Sequence, residues 1–168
     1  PANDSPSITL DVADLHSSTT ISLLNPKLDP KFHPNSEKLS LILNNSPSPI
    51  TDRISNVIKT IQEIALQNID SLDCSFILEE SENDISKIEK EEFLEILENW
   101  NILIESENNF NTAAGLASSS SGLSCLGCAL ATLYGLDQKS VDLSILARLG
   151  SGSACRSTMG GFVRWNKG

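Results

Sequence analysis

The stretch 108–122 reads NNFNTAAGLASSSSG. It follows WNILIESE (100–107), whose apolar start reads as a buried strand. It precedes LSCLGCALATLYGL (123–136), which reads as a helix with Leu123, Leu126, Leu130 and Leu133 on one face and Gly135 at its end. A strand that turns through small residues into a helix start is suited to an anion. The first N–H groups of a helix have no partner within it, and they carry the positive end of its dipole. Gly115 permits a tight turn, while Ala113, Ala114 and Ala117 leave the backbone N–H groups uncovered. Ser118, Ser119, Ser120 and Ser121 add hydroxyls to what reads as a loop before the helix. The pattern suits the phosphates of a nucleotide, although it is not a G-x-x-x-x-G-K-[ST] loop and contains no lysine. Two plainer explanations compete: small residues also serve close helix packing, and one serine can be an N-cap.

The second informative stretch is GSGSACRSTMGGFVRW (150–165). Gly150 and Gly152 permit tight turns, and Ser151 and Ser153 offer hydroxyl donors. Arg156 presents a planar fork that can grip a carboxylate or a phosphate through two bonds. On the residues alone it is equally a surface salt-bridge partner. The preceding KSVDLSILARLG (139–150) reads as a short helix closed by Gly150, then SGSACRS as a polar loop and TMGGFVRW as a returning strand.

Upstream, 7–24 alternates and is rich in Thr, Ile and Leu, so it reads as two strands joined near Ala13 and Asp14. The three prolines of 25–35 mark a loop. LSLIL (39–43) reads as a third strand closed by a turn at Asn44 and Asn45. The segment 46–69 reads as the start and body of a helix, capped by Thr51 or Asp52, with Ile54, Val57, Ile58, Ile61, Ile64 and Ala65 at helical spacing. The acidic 78–100 begins as a solvated insertion and ends as a helix. Strands and helices mix without regular βαβ alternation, which predicts an α+β class.

The chain has 168 residues, 39% of them hydrophobic, enough for one domain with its own core. Its formal net charge of -10 argues against nucleic acid or an anionic membrane as the main partner. No apolar run is long enough to span a bilayer, and no signal peptide is visible. Four cysteines without a signal fit a reducing, cytoplasmic setting. Cys125 and Cys128 form a lone C-x-x-C in an apolar helix, and His16 and His33 lie far upstream, so core packing is the expected role and no residue is assigned to a metal. The start at Pro1 and the end after FVRWNKG read as cuts in a longer protein.

NNFNTAAGLASSSSG resembles the phosphate loop of the GHMP kinase superfamily in the version found in mevalonate diphosphate decarboxylases. Asn111 stands where that family has proline, and Ser120 and Ser121 where it usually has alanine. GSGSACRSTMGGFVRW resembles the family's substrate loop almost residue for residue, and NDSPSITLDVADL (3–15) its early strand pair. The resemblance implies the N-terminal domain of the superfamily, of the ribosomal protein S5 domain 2-like type. All of 1–168 would belong to it, with the first strand and the C-terminal domain lying outside. It implies ATP and Mg²⁺ as cofactors, with Ala114, Gly115, Leu116, Ala117, Ser118 and Ser119 in the ATP phosphate loop. Ser151, Gly152, Ser153, Ala154, Cys155 and Arg156 would line the site for mevalonate 5-diphosphate. Ser151 and Ser153 would meet the diphosphate, and Arg156 the C1 carboxylate. Arg53 matches a family position that reaches the substrate. The implied reaction is ATP-dependent decarboxylation to isopentenyl diphosphate in isoprenoid synthesis. The family's catalytic aspartate and lysine are expected outside this chain, and a homodimer is implied. A related phosphomevalonate decarboxylase or GHMP kinase, or a non-catalytic ATP-binding relative, is the alternative.

Overall fold

The computed structural model describes residues 3–26, 37–72, 90–111, 115–136 and 142–167. The prolines of the 25–35 loop from Lys27 on, Cys74, the acidic insertion before Lys90, and Ala113 and Ala114 lie outside the described residues.

Among the described residues the strands and α-helices are, in chain order, β1 (Ser5–Ile8), β2 (Ser17–Leu24), β3 (Leu39–Leu43), β4 (Ser46–Ser48), α1 (Asp52–Gln67), α2 (Lys90–Asn99), β5 (Asn101–Asn108), α3 (Ser118–Leu133), α4 (Leu143–Gly150) and β6 (Phe162–Trp165). The class is α+β, as the sequence predicts. The strands form two sheets among the described residues, one ordered β2-β5-β3-β4 and one pairing β1 with β6. β5 is central: it runs antiparallel to β2 and parallel to β3. β1 and β2 are therefore not a hairpin. They enter different sheets, and β1 pairs across the chain with Ser5 opposite Trp165 and Ile8 opposite Phe162.

Asn44 and Asn45 both take positive φ (49° and 62°), which is the geometry of a tight two-residue hairpin turn. They join β3 to β4, so 46–48 is a strand and the helix begins only at Asp52. The proline at position 47 is tolerated because β4 is an edge strand. Thr51 is the N-cap of α1, its hydroxyl oxygen accepting the Ile54 N–H at 3.4 Å.

The core lies between the four-stranded sheet and α1, α2, α3 and α4. Val57, Ile58, Ile61 and Ala65 of α1 meet Phe93, Ile102, Ile104, Leu126, Leu130, Tyr134 and Leu146. Tyr134 is fully buried, set edge-on to Phe93 with ring centroids 6.3 Å apart. Its hydroxyl takes a hydrogen bond from Gln62 Nε2 at 3.2 Å, and burial pushes its phenol up from the ordinary value. No helix among the described residues is long and apolar enough to cross a membrane.

Three local readings change in the structure. Ser118–Ser121 are the first turn of α3 rather than a loop before it, because the chain completes its reversal by Ala117. The N-cap is Ala117 in the left-handed region (φ 57°), with no capping side chain, so no serine serves as the cap. SGSACRS is not wholly irregular, since Ala154–Arg156 form a 3-10 turn.

The two helix ends differ. Gly135 (φ 63°) closes α3: its N–H bonds the Thr132 carbonyl, and the Leu136 N–H reaches back to Ala131. Gly150 does not close α4 by a left-handed turn; it is the last residue of the helix, and Ser151 is the C-cap. Its smallness serves packing, because a Cβ there would meet Leu123 at 3.0–3.3 Å. Gly150→Ala is expected to cost about 1 kcal/mol net. Crowding of about 1–3 kcal/mol outweighs a helix-propensity gain of up to about 1 kcal/mol. Urea unfolding of the two proteins measures it.

Candidate functional site

The start of α3 is where the two motifs meet. Ser17, at the head of β2, ties three elements there. Its hydroxyl donates to Asn108 Oδ1 at 2.5 Å at the end of β5, and it lies 2.7 Å from Ser121 Oγ on α3. The Cys125 thiol donates to the Ser17 carbonyl at 3.3 Å. Burial pushes both the Cys125 and Cys128 thiols up, so they stay protonated and pack as small apolar groups.

One helical position before Ser121, Ser120 is buried, and its hydroxyl is hydrogen-bonded to that of Ser153. Ser151 Oγ lies 3.3 Å from Ser153 Oγ in turn. A chain of hydroxyls therefore runs from the first turn of α3 into the second motif. Ser120 was read from sequence as one more loop hydroxyl; the structure makes it the joint between the motifs. The signal was present in the sequence, since Ser120 departs from the family's usual alanine.

A cleft of about 360 Å³ opens at this joint, lined among others by His16, Leu116, Ala117, Ser120, Ser121, Ser153 and Arg156. Among the described residues, Arg156 Nε is buried and has no hydrogen-bond partner. An unpaired buried donor on a permanently charged group is costly unless a ligand supplies the acceptor. The Arg156 guanidinium carbon lies 6.0 Å from the centroid of the Trp165 ring, and that of Arg148 4.6 Å from the same centroid. Trp165 is thus shared by two cations, and the nearer contact is a cation–π interaction of the usual geometry. Arg164 is paired with Asp4 across the β1–β6 ladder, and that pair with the Lys167 N–H holds the Asp4 carboxyl below its ordinary value.

The other sequence-predicted residues are placed as follows. Ala154 is fully buried, its N–H bonded to the Ser151 carbonyl and its carbonyl accepting the Ser157 N–H. The Cys155 thiol donates to the Gly152 carbonyl at 3.3 Å, and Gly152 itself is exposed. Gly115 (φ 77°), Leu116, Ala117 and Ser119 are exposed at the head of α3; Ala114 lies outside the described residues. Arg53 is not brought into the Arg156 cleft. It lines a separate, mostly apolar cleft of about 550 Å³, with Thr19, Leu41, Leu43, Ile104, Ser118, Ser119 and Leu126 among its other walls. The two clefts lie on either side of the start of α3 and share that helix as a wall. The sequence places His16 far upstream of Cys125 and Cys128 and so gives it no metal role. Strand pairing of β2 with β5 carries it to the cleft, which no spacing in the sequence reveals.

A family model described as the diphosphomevalonate decarboxylase-like N-terminal domain matches residues 1–168. The diphosphomevalonate decarboxylase of Ganoderma lucidum is 40% identical over 170 residues, covering 100% of this chain and 36% of that protein. The solved mevalonate diphosphate decarboxylase from Trypanosoma brucei superposes with a TM-score of 0.63 at 34% identity, over 100% of this chain and 35% of that one. MDDEF, solved in complex with MVAPP, AMPPCP and magnesium, superposes with a TM-score of 0.64 at 32% identity, over 100% of this chain and 39% of that one. The chain thus spans little more than a third of the length of the relatives it matches. With its matching fold, its paired motifs and a family match along its whole length, the chain belongs to the diphosphomevalonate decarboxylase-like N-terminal domain family.

Proposed function

We propose that the protein catalyses the ATP-dependent decarboxylation of (R)-5-diphosphomevalonate to isopentenyl diphosphate, with release of ADP, phosphate and CO₂. The observation that carries this reading is the unpaired, buried Arg156 Nε beside the cleft where Ser120 meets Ser153. The donors gathered there are hydroxyls, a guanidinium and a helix N-terminus without a capping side chain. That set suits carboxylate and phosphate oxygens rather than a bare cation.

In this reading the two clefts divide the ligands. The apolar one would take the nucleotide, with Ser118 and Ser119 on its phosphates and Arg53, matched to a substrate contact, in its wall; Gly115, Leu116 and Ala117, the last two lining the Arg156 cleft, would carry the phosphates across the head of α3 towards the substrate. Ala114 belongs to the same proposed loop. Magnesium, present with AMPPCP in MDDEF, would be held here through phosphate oxygens. The Arg156 cleft would take the substrate, with Ser151, Gly152, Ser153, Ala154 and Cys155 around the diphosphate and Arg156 on the C1 carboxylate. Bound ATP supplies a phosphoryl group that turns the tertiary C3 hydroxyl into a leaving group. The C1–C2 bond then breaks, its electron pair forms the C2–C3 double bond, and phosphate departs from C3. Arg156 orients the carboxylate for that elimination, and the first turn of α3 offers donors to charge on the phosphoryl oxygens. The aspartate and lysine of the reaction belong to parts of the protein outside these residues. A homodimer, which rests on the family resemblance, and a cytoplasmic location, which rests on the cysteine usage, complete the proposal.

The test is an assay of the complete protein with ATP, Mg²⁺ and mevalonate 5-diphosphate, following ADP and CO₂ together. Equal release of both, absent with mevalonate 5-phosphate, is the expected result. ADP without CO₂ would instead assign a kinase, and CO₂ release from the monophosphate a phosphomevalonate decarboxylase. A folded protein that binds ATP and turns over neither substrate would be a non-catalytic relative.

A further inference from the structure

His16 lines the cleft that holds Arg156, yet the proposed chemistry makes no use of it. It sits half-buried just before β2. Its N–H donates to Asn109 Oδ1 at 2.8 Å, and its carbonyl accepts the Asn109 N–H at 3.2 Å. Asn109 Nδ2 also donates to the Asp14 carbonyl at 3.0 Å. The turn carrying His16 is thereby clamped to the chain just beyond β5, where the first motif begins.

The ring is held as well. His16 Nδ1 lies 2.9 Å from the Val12 carbonyl oxygen. A carbonyl only accepts, so Nδ1 carries the hydrogen. With the hydrogen on Nδ1, Nε2 is an acceptor on a neutral ring and a donor only on a protonated one. Among the described residues lining the cleft, Arg156 is the other charged group; α3 contributes only serines and small residues, and β1 only Ser7 and Ile8. The loop of His16 carries Asp11, whose Oδ1 accepts the Ala13 N–H at 2.9 Å, and Asp14. On β5, Glu107 accepts from the Ser18 hydroxyl at 3.3 Å. His16 and Arg156 line the same cleft, so an anion held there would meet both.

We infer that His16 is a pH-dependent anion ligand of this cleft: protonated, it donates from Nε2 to a carboxylate or phosphate oxygen of the substrate, and neutral, it gives that contact up. The inference rests on the diphosphomevalonate reading and adds a titrating residue to it. Binding should therefore tighten as pH falls through the histidine range. Loss of one charge-assisted contact is expected to weaken binding about tenfold.

The experiment is calorimetric titration of the complete protein with mevalonate 5-diphosphate, and separately with inorganic diphosphate, at pH 5.5 and 8.5. Wild type, His16→Gln and His16→Lys are compared at each pH, which cancels the titration of the ligand itself. The expected ratio of Kd for His16→Gln over wild type is about 10 at pH 5.5 and about 1 at pH 8.5. His16→Lys should match wild type at pH 5.5 and bind about tenfold tighter at pH 8.5, since lysine keeps its charge there. The effect with inorganic diphosphate would assign the contact to the diphosphate; the effect with the substrate alone would assign it to the carboxylate. A Gln ratio that is the same at both pH values overturns the inference while leaving the proposed function standing. No binding by wild type at either pH overturns both. Should His16→Gln fail to fold, the NMR titration of His16 in wild type decides: its midpoint must rise when ligand is added.

Discussion

Arg156→Ala is expected to lower kcat/KM for mevalonate 5-diphosphate by about 10²–10³-fold in the complete protein. Truncating one partner of a buried, hydrogen-bonded charge pair costs about 2–5 kcal/mol, and each 1.36 kcal/mol is tenfold in rate. Arg156 fits that case, because its Nε is buried and lacks any protein acceptor among the described residues. Since the proposed contact is to the carboxylate that leaves, kcat should fall along with kcat/KM. Arg156→Lys should recover only part of the loss: an ammonium supplies charge but not the planar fork. The measurement is steady-state kinetics beside circular dichroism. A folded Arg156→Ala protein within threefold of wild type would remove Arg156 from the site. Its neighbours give this side chain little alternative employment. Trp165 lies closer to Arg148 than to Arg156, and Arg164 is occupied by Asp4.

The largest loss of stability is expected at Tyr134. Replacing a large buried aromatic by alanine costs about 3–5 kcal/mol, through lost transfer energy and an unfilled cavity. Tyr134 has no exposed surface, closes the C-terminal end of α3 and meets the Phe93 ring edge-on. Removing it would uncouple α2 from α3. Tyr134→Phe separates the ring from its hydroxyl. That change keeps the packing and loses only the hydrogen bond from Gln62, worth about 1 kcal/mol. Urea unfolding of the three proteins reads both numbers. Near-equal losses for Phe and Ala would mean that the Gln62 contact, not packing, dominates at this position.

The sequence was a good guide wherever one element's own periodicity or turn chemistry decided its form. The apolar spacing of α1 places Val57, Ile58, Ile61 and Ala65 in the core, as its helical period requires. Asn44 and Asn45 mark the hairpin because few other residues accept two successive left-handed conformations. Gly135 ends α3 for the same local reason. The two motifs singled out in the sequence do adjoin in the structure, where Ser120 meets Ser153.

Tertiary structure alone decided what depends on distant strands. β1 leaves β2 for β6, more than 150 residues away, because a strand's N–H and C=O groups can be satisfied by whichever extended segment the fold lays beside it, whatever its distance along the chain. Gly150 looked like a helix stop but is a packing residue, since only the approach of Leu123 from α3 gives its missing side chain a purpose. Arg53 and Arg156, both matched to substrate contacts, face different clefts because α3 stands between them. His16 and Ser120 reach the Arg156 cleft through the β2–β5 ladder and the first turn of α3. Sequence determined which kinds of group the two motifs offer; the register of β5 and the placement of α3 decided which of them stand together, because a contact between residues far apart in the chain exists only once the chain has closed around its core.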